Sequence, residues 1–221
     1  MKQAFVFVGG SIDPERITER PEEGAITIAA DVGWRNAERL GITPKILVGD
    51  FDSLGEPNVP EGTEVLQVPA EKNETDTQLA VGLAISRGAE QITVIGGLDG
   101  RLDHTLSNLA ILEDLERRSF HGVITDGKNR VRFLRNNSTL IPRSGFRYLA
   151  ILAADPVIKG VSIEGVKYPL KKATLRRDHQ YAVSNEIEKN CALIEVRKGG
   201  AWIVESADTP VSVPAKQNRK G

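Results

Sequence analysis

The hydrophobic period of this 221-residue chain changes once, near its middle, and that change limits the architectures open to it. Up to about Asp126, short apolar runs alternate with stretches of helical spacing. Runs at 4–8, 25–29, 45–48, 64–68, 91–95 and 122–125 predict strands, while 33–40, 77–87 and 103–118 predict helices. In the third helix the spacing sets Leu102, Leu106, Leu109, Ala110 and Leu115 near one face. Such alternation predicts a mostly parallel sheet covered by helices. After Gly127 the helical period is gone. Strand-like pieces follow at 130–134, 138–141, 147–152, 157–161, 181–184, 192–197 and 201–205, parted by turn signals such as Asp126-Gly127 and Gly199-Gly200. The expected organisation is an α/β domain over 1–127, an all-β domain over 128–213, sandwich or barrel, and a basic, frayed tail over 214–221.

Three acid-bearing clusters fall at the ends of predicted strands in the first half. Gly49-Asp50-Phe51-Asp52-Ser53 follows the run Ile46-Leu47-Val48 and sets two carboxylates two residues apart, on one side of an extended backbone. A solvated turn would use the same residues. So would a Mg²⁺ site for phosphate chemistry, because that ion takes one or two carboxylates together with water and phosphate oxygens. Lys72-Asn73-Glu74-Thr75-Asp76 precedes the second helix, where Thr75 and Gln78 fit a capping box and Asp76 would complement the helix dipole. Gly96-Gly97-Leu98-Asp99-Gly100-Arg101-Leu102-Asp103-His104 follows the strand at 91–95; its glycines permit close approach to an anion, and Arg101 offers a bidentate phosphate contact. No complete dinucleotide or P-loop fingerprint is present. Ligands of open α/β sheets bind at the carboxyl ends of the strands, where all three clusters lie.

Composition narrows the partners. Twenty-nine basic residues against thirty acidic ones leave a formal charge of −1, so nothing global draws the chain to nucleic acid or to a membrane surface. Cys191 is the single cysteine, which excludes an internal disulfide and a cysteine-based metal cluster; its alternating apolar neighbours read as core. The first apolar run is too short for a signal-peptide core or a membrane span, making the cytoplasm the default location. Trp202, in an alternating strand, reads as core as well.

With these clusters in place, the chain resembles the thiamine pyrophosphokinases, also called thiamine diphosphokinases, in their short bacterial form. The resemblance runs nearly end to end through Ala29-Ala30-Asp31, the Gly-Asp-Phe-Asp-Ser element, Lys72 with Thr75-Asp76, Gly96-Gly97, Gly100-Arg101-Leu102-Asp103-His104 and Asn108. In the second half it includes 165–170 and Val183-Ser184-Asn185-Glu186. It implies an N-terminal α/β domain, a C-terminal β-sandwich, and a homodimer with clefts between subunits. It also implies the reaction of ATP with thiamine to give thiamine diphosphate and AMP. Carried over residue by residue, Asp50, Asp52 and Asp76 would hold Mg²⁺, and Lys72, Arg101, Asp103 and His104 would surround the phosphates. Asp31, Ser53, Gly97 and Asn108 would complete the ATP site, and Ser184 and Asn185 would lie near thiamine. The chain departs from the family at Asp31-Val32-Gly33, where a second glycine is common, and at Pro44-Lys45, where Pro-Asp is common.

In that chemistry the protein aligns the thiamine hydroxyl with the β-phosphorus and neutralises charge on the triphosphate. Asp103 could support the phosphate site by orienting Arg101 or His104, bind a second metal, act as a base or cap its helix; phosphate-site support is the favoured reading. Two other functions use the same clusters: a pyrophosphokinase acting on another hydroxymethyl heterocycle such as a pterin, and a non-catalytic nucleotide or thiamine sensor.

Overall fold

The computed structural model describes residues 1–51, 59–69, 71 and 73–208. Asp52, Ser53 and Lys72 lie outside the described residues.

Thirteen described strands and three helices form two sheets. The first six strands are β1 (Gln3–Phe7), β2 (Ile26–Ala30), β3 (Ile46–Gly49), β4 (Glu64–Gln67), β5 (Gln91–Ile95) and β6 (His121–Thr125). Among them run α1 (Gly33–Arg39), α2 (Asp76–Ser86) and α3 (Leu102–Arg117). The strands pair in parallel in the order β4-β3-β2-β1-β5-β6. Continuous apolar runs are what such strands require, since helices cover both faces. β1, β2 and β3 are buried over nearly their whole length. One apolar core sets Ala80, Ala84, Ile111, Leu112 and Leu115 of α2 and α3 against the sheet; another sets Trp34 and Ala37 of α1 against Phe5, Phe7 and Leu47 on its opposite side.

The chain winds outward from β1 to β4, then crosses back and lays β5 on the other side of β1. The order of the sheet therefore reverses between β1 and β5. Turns leaving two such strands diverge and open a crevice at their carboxyl ends.

The second half continues the same sheet. β7 (Asn129–Arg135) pairs antiparallel with β6, followed by β13 (Gly200–Ser206) and β9 (Tyr148–Ala153). A separate antiparallel sheet has the order β11 (Leu170–Arg176), β10 (Val157–Glu164), β12 (Cys191–Lys198), β8 (Ser138–Pro142). Leu134, Leu149, Ile151 and Ile203 of the large sheet pack onto Ile158, Val161, Ile163, Ile194 and Val196 of the small one, making the sandwich. The alternate residues Val131, Phe133 and Trp202 face the helical core, so the antiparallel strands serve two cores at once.

Four local expectations change. Leu102 and Leu106 are exposed (70% and 58%), and the buried face of α3 is Asn108, Ile111, Leu112 and Leu115. Two stripes compete on that helix, and the one whose bulk reaches Gly122 on β6 is buried. Residues 181–184 form no strand; Asn185 and Ile187 make only isolated bridges there, while β11 is a strand that apolar runs did not reveal. Cys191 is half-buried, because Ala192, Ile194 and Val196 take the inward positions of β12. Trp202 is half-buried, edge-on to Phe133 with ring centroids 5.8 Å apart.

Among the described residues no helix is long and apolar enough to cross a membrane.

Candidate active site

At the reversal between β1 and β5 lies a cavity of about 280 Å³ lined by Val8, Gly9, Gly10, Thr77, Gly97, Asp99, Gly100, Arg101, His104 and Asn108. Its floor is two strand-end turns in backbone contact. The Gly97 N–H donates to the Gly9 carbonyl at 2.9 Å, and the Val8 N–H donates to the Ile95 carbonyl at 3.0 Å. Gly96 (φ +100°) must be glycine, since a β-carbon would stand 2.6 Å from the Val8 oxygen and 2.8 Å from the Gly9 oxygen. Gly97 (φ +75°) is constrained by a side chain instead: its β-carbon would fall 2.6 Å from Asn108 Nδ2. Asn108 is buried and donates through that nitrogen to the Gly97 carbonyl at 2.9 Å, tying α3 to the turn.

Arg101 is the N-cap residue of α3, and its guanidinium forks onto the Asp103 carboxylate at 3.1 and 2.6 Å. Asp103 also accepts from the His104 N–H at 3.0 Å. Asp103 thus orients Arg101, and these hydrogen bonds hold its carboxyl below the usual carboxylate range while raising that of Arg101. Both side chains are largely exposed, 74% for Arg101 and 63% for Asp103. An exposed cation held over a glycine turn at a helix N-terminus can grip an anion bidentately.

Asp99 lines the cavity too. Its carboxyl is held below the ordinary range chiefly by a hydrogen bond from the Ser11 hydroxyl, with the Gly100 N–H contributing next.

The remaining predicted residues divide by place. Asp50 directly follows β3 and Asp76 opens α2; the carboxyl ends of the parallel strands β1, β3 and β5 share one edge of the sheet. The capping box forms as expected, with the Gln78 N–H donating to Thr75 Oγ1 at 3.2 Å and the Thr75 N–H donating to Gln78 Oε1 at 2.9 Å. Asp31 follows β2 in left-handed backbone (φ +45°), buried, with its N–H donating to the Val48 carbonyl. Among the described residues no group of three or more acidic, histidine or cysteine side chains converges. The third carboxylate of the expected set, Asp52, lies outside them.

Ser184 and Asn185 sit apart from the cavity lining, on the segment after β11. Ser184 is exposed with φ +56°. Asn185 is buried and uses its carboxamide internally: Oδ1 accepts from the Tyr168 and Glu186 N–H groups, and Nδ2 donates to the Tyr168 carbonyl at 2.8 Å. Its side chain therefore fixes the Tyr168 turn beside the exposed Ser184 hydroxyl.

Gly9, Gly10, Ser11 and Thr77 were not anticipated as site residues. A glycine pair at the exit of the first strand was the available signal, and it carries no charge to draw notice.

Residues 20–124 match a family model described as thiamin pyrophosphokinase, catalytic domain, and 137–200 match thiamin pyrophosphokinase, vitamin B1 binding domain. The chain is 27% identical over 222 residues to the thiamine pyrophosphokinase of Bacillus subtilis (strain 168), covering 94% of this chain and 100% of that protein. The crystal structure of thiamine pyrophosphokinase from Bacillus subtilis superposes with a TM-score of 0.83 at 24% identity, covering 94% of this chain and 100% of the other. A thiamin pyrophosphokinase family protein from Enterococcus faecalis superposes at 0.76 with 28% identity, covering 95% and 100%.

Proposed function

From the membership of this chain in the thiamin pyrophosphokinase family, we propose that its β1–β5 crevice binds the polyphosphate of ATP, whose terminal diphosphoryl group passes to the hydroxyl of thiamine. The products are thiamine diphosphate and AMP. The observation that carries this reading is the cavity itself, which combines two glycine turns, an oriented Arg101 and a helix N-terminus at the sheet edge that also bears Asp50 and Asp76.

The protein's part is alignment and charge neutralisation. Arg101, braced by Asp103, and Lys72 contact phosphate oxygens, and His104 borders the same cavity. Gly97, Asn108, Asp31 and Ser53 complete the nucleotide site. Asp50, Asp52 and Asp76 would supply an all-oxygen donor set, the kind that suits Mg²⁺. When bound, that ion neutralises charge on the triphosphate. Ser184 offers its hydroxyl to thiamine, and Asn185 holds the neighbouring Tyr168 turn in place.

The working unit is a cytoplasmic homodimer. Leu102 and Leu106 on α3, and Tyr168, Tyr181 and Val183 around Ser184, are large apolar side chains exposed in the single chain, and they supply a surface for a second copy.

Incubation with ATP, Mg²⁺ and thiamine tests the reading by product identification. AMP and thiamine diphosphate are expected in equal amounts. Nucleotide cleavage only with a pterin, or binding without cleavage, would overturn it.

A further inference from the structure

Asn36 is a buried polar residue on α1, 5% exposed, and it is not part of the cavity lining. Its Nδ2 donates two hydrogen bonds, to the Val8 carbonyl at 2.7 Å and to the Gly10 carbonyl at 2.8 Å. The carbonyl between them, that of Gly9, accepts from the Gly97 N–H at 2.9 Å. Three consecutive carbonyls of one cavity wall are thus each turned onto a protein donor. The facing wall is handled in the same way, with the Gly97 carbonyl taken by Asn108 at 2.9 Å.

Carbonyl oxygens carry the negative end of the peptide dipole, so a wall that presented them to a polyphosphate would repel it. The N–H groups of such a turn, by contrast, favour an anion. A turn of two glycines has little conformational preference of its own and needs an outside constraint to keep one orientation. Asn36 supplies that constraint from below. The helix does not depend on it for its place, because Trp34 and Ala37 anchor α1 in the apolar core.

We propose that Asn36 is a positioning residue for the nucleotide: by holding the Val8 and Gly10 carbonyls it keeps the β1 turn shaped for a polyphosphate. The inference rests on the nucleotide reading of the cavity, and it concerns binding of ATP, not of thiamine.

The test is steady-state kinetics of the full chain carrying Asn36→Leu, which keeps the forked shape of the side chain and removes both donors. ATP is varied at saturating thiamine, and then thiamine at saturating ATP. The expected result is a KM for ATP raised about tenfold, equivalent to about 1.4 kcal/mol, with the KM for thiamine unchanged. Turnover per folded enzyme should stay within about threefold, since the lost interaction acts on ground state and transition state alike. A merely structural role would lower the folded fraction, and with it apparent turnover, but leave the KM for ATP as it was. Asn36→Ser, small and polar but too short to reach both carbonyls, should show the same selective rise and serves if the leucine variant does not fold. An unchanged KM for ATP in a folded variant, or failure of both variants to fold, overturns the proposal. Absence of thiamine diphosphate formation by the unaltered protein would instead overturn the functional reading itself.

Discussion

Gly97→Ala is a telling perturbation of the crevice, because two separate costs fall on one methyl group. The residue sits at φ +75°, where a β-carbon costs about 1–2 kcal/mol through its clash with the backbone. The same methyl would stand 2.6 Å from Asn108 Nδ2 and 3.1 Å from Val8 Cγ2, so Asn108 must move and surrender its hydrogen bond to the Gly97 carbonyl. That bond contributes about 0.5–1.5 kcal/mol, bringing the loss of stability to about 1.5–3.5 kcal/mol. For a chain of this length a melting temperature lower by about 3–14 °C follows. The methyl also spreads the two turns, so the KM for ATP should rise about tenfold or more, measured by AMP release below the melting transition. A variant that melts within about 2 °C of the parent and keeps its KM for ATP would refute the close-contact account of this turn.

Asp76→Asn, and equally Asp50→Asn, should lower turnover about a hundredfold with the fold intact, as expected when charge stabilisation at a metal site is lost; normal Mg²⁺-dependent AMP production would remove both residues from that role. Glu205 is 1% exposed and lies between Arg130 and Arg132, with Ser144 Oγ donating to it at 3.0 Å. Glu205→Gln leaves buried guanidinium charge poorly matched, so a loss of about 3 kcal/mol and a melting temperature lower by roughly 6–12 °C should appear in calorimetry, with activity on ice preserved. Asp155 is held below the ordinary carboxylate range, first by hydrogen bonds from Arg135 at 2.9 and 3.0 Å. A depressed carboxylate contributes stability that is present above its unfolded value of about 3.9 and disappears as pH falls through its folded value. Urea unfolding should therefore find Asp155→Asn weaker than the parent at neutral pH, with the gap narrowing as pH falls below the unfolded value of about 3.9; a gap constant with pH would contradict the pairing.

The strands of the first half were legible because a parallel strand buried on both faces must be largely apolar, as β1 and β3 are, and β5 has the bounds that its sequence predicts despite Gln91 and Thr93. The second half was less legible. β11 carries Lys171 and Lys172 near its start, the latter at φ +49°, so neither period nor composition marked it. Residues 181–184 have the side chains of a strand, yet they form none, and the isolated bridges lie just beyond them at Asn185 and Ile187. Helix α3 offered two apolar stripes, and only packing on β6 and β7 decides between them. At the site, charged residues such as Arg101 and Asp103 announced themselves. The wall built by Gly9 and Gly10 did not, since its meaning depends on β1 lying next to β5, a neighbourhood set by the path of the chain and not by any local pattern.

Because β6 passes its hydrogen bonds directly to β7, the two halves share a single slab, and β13 and β9 extend it without a seam. Such a slab leaves no joint about which one half could rotate against the other. Admission of substrates and escape of products must then be accomplished by the connections at the strand tips, with the slab as a fixed anvil beneath them.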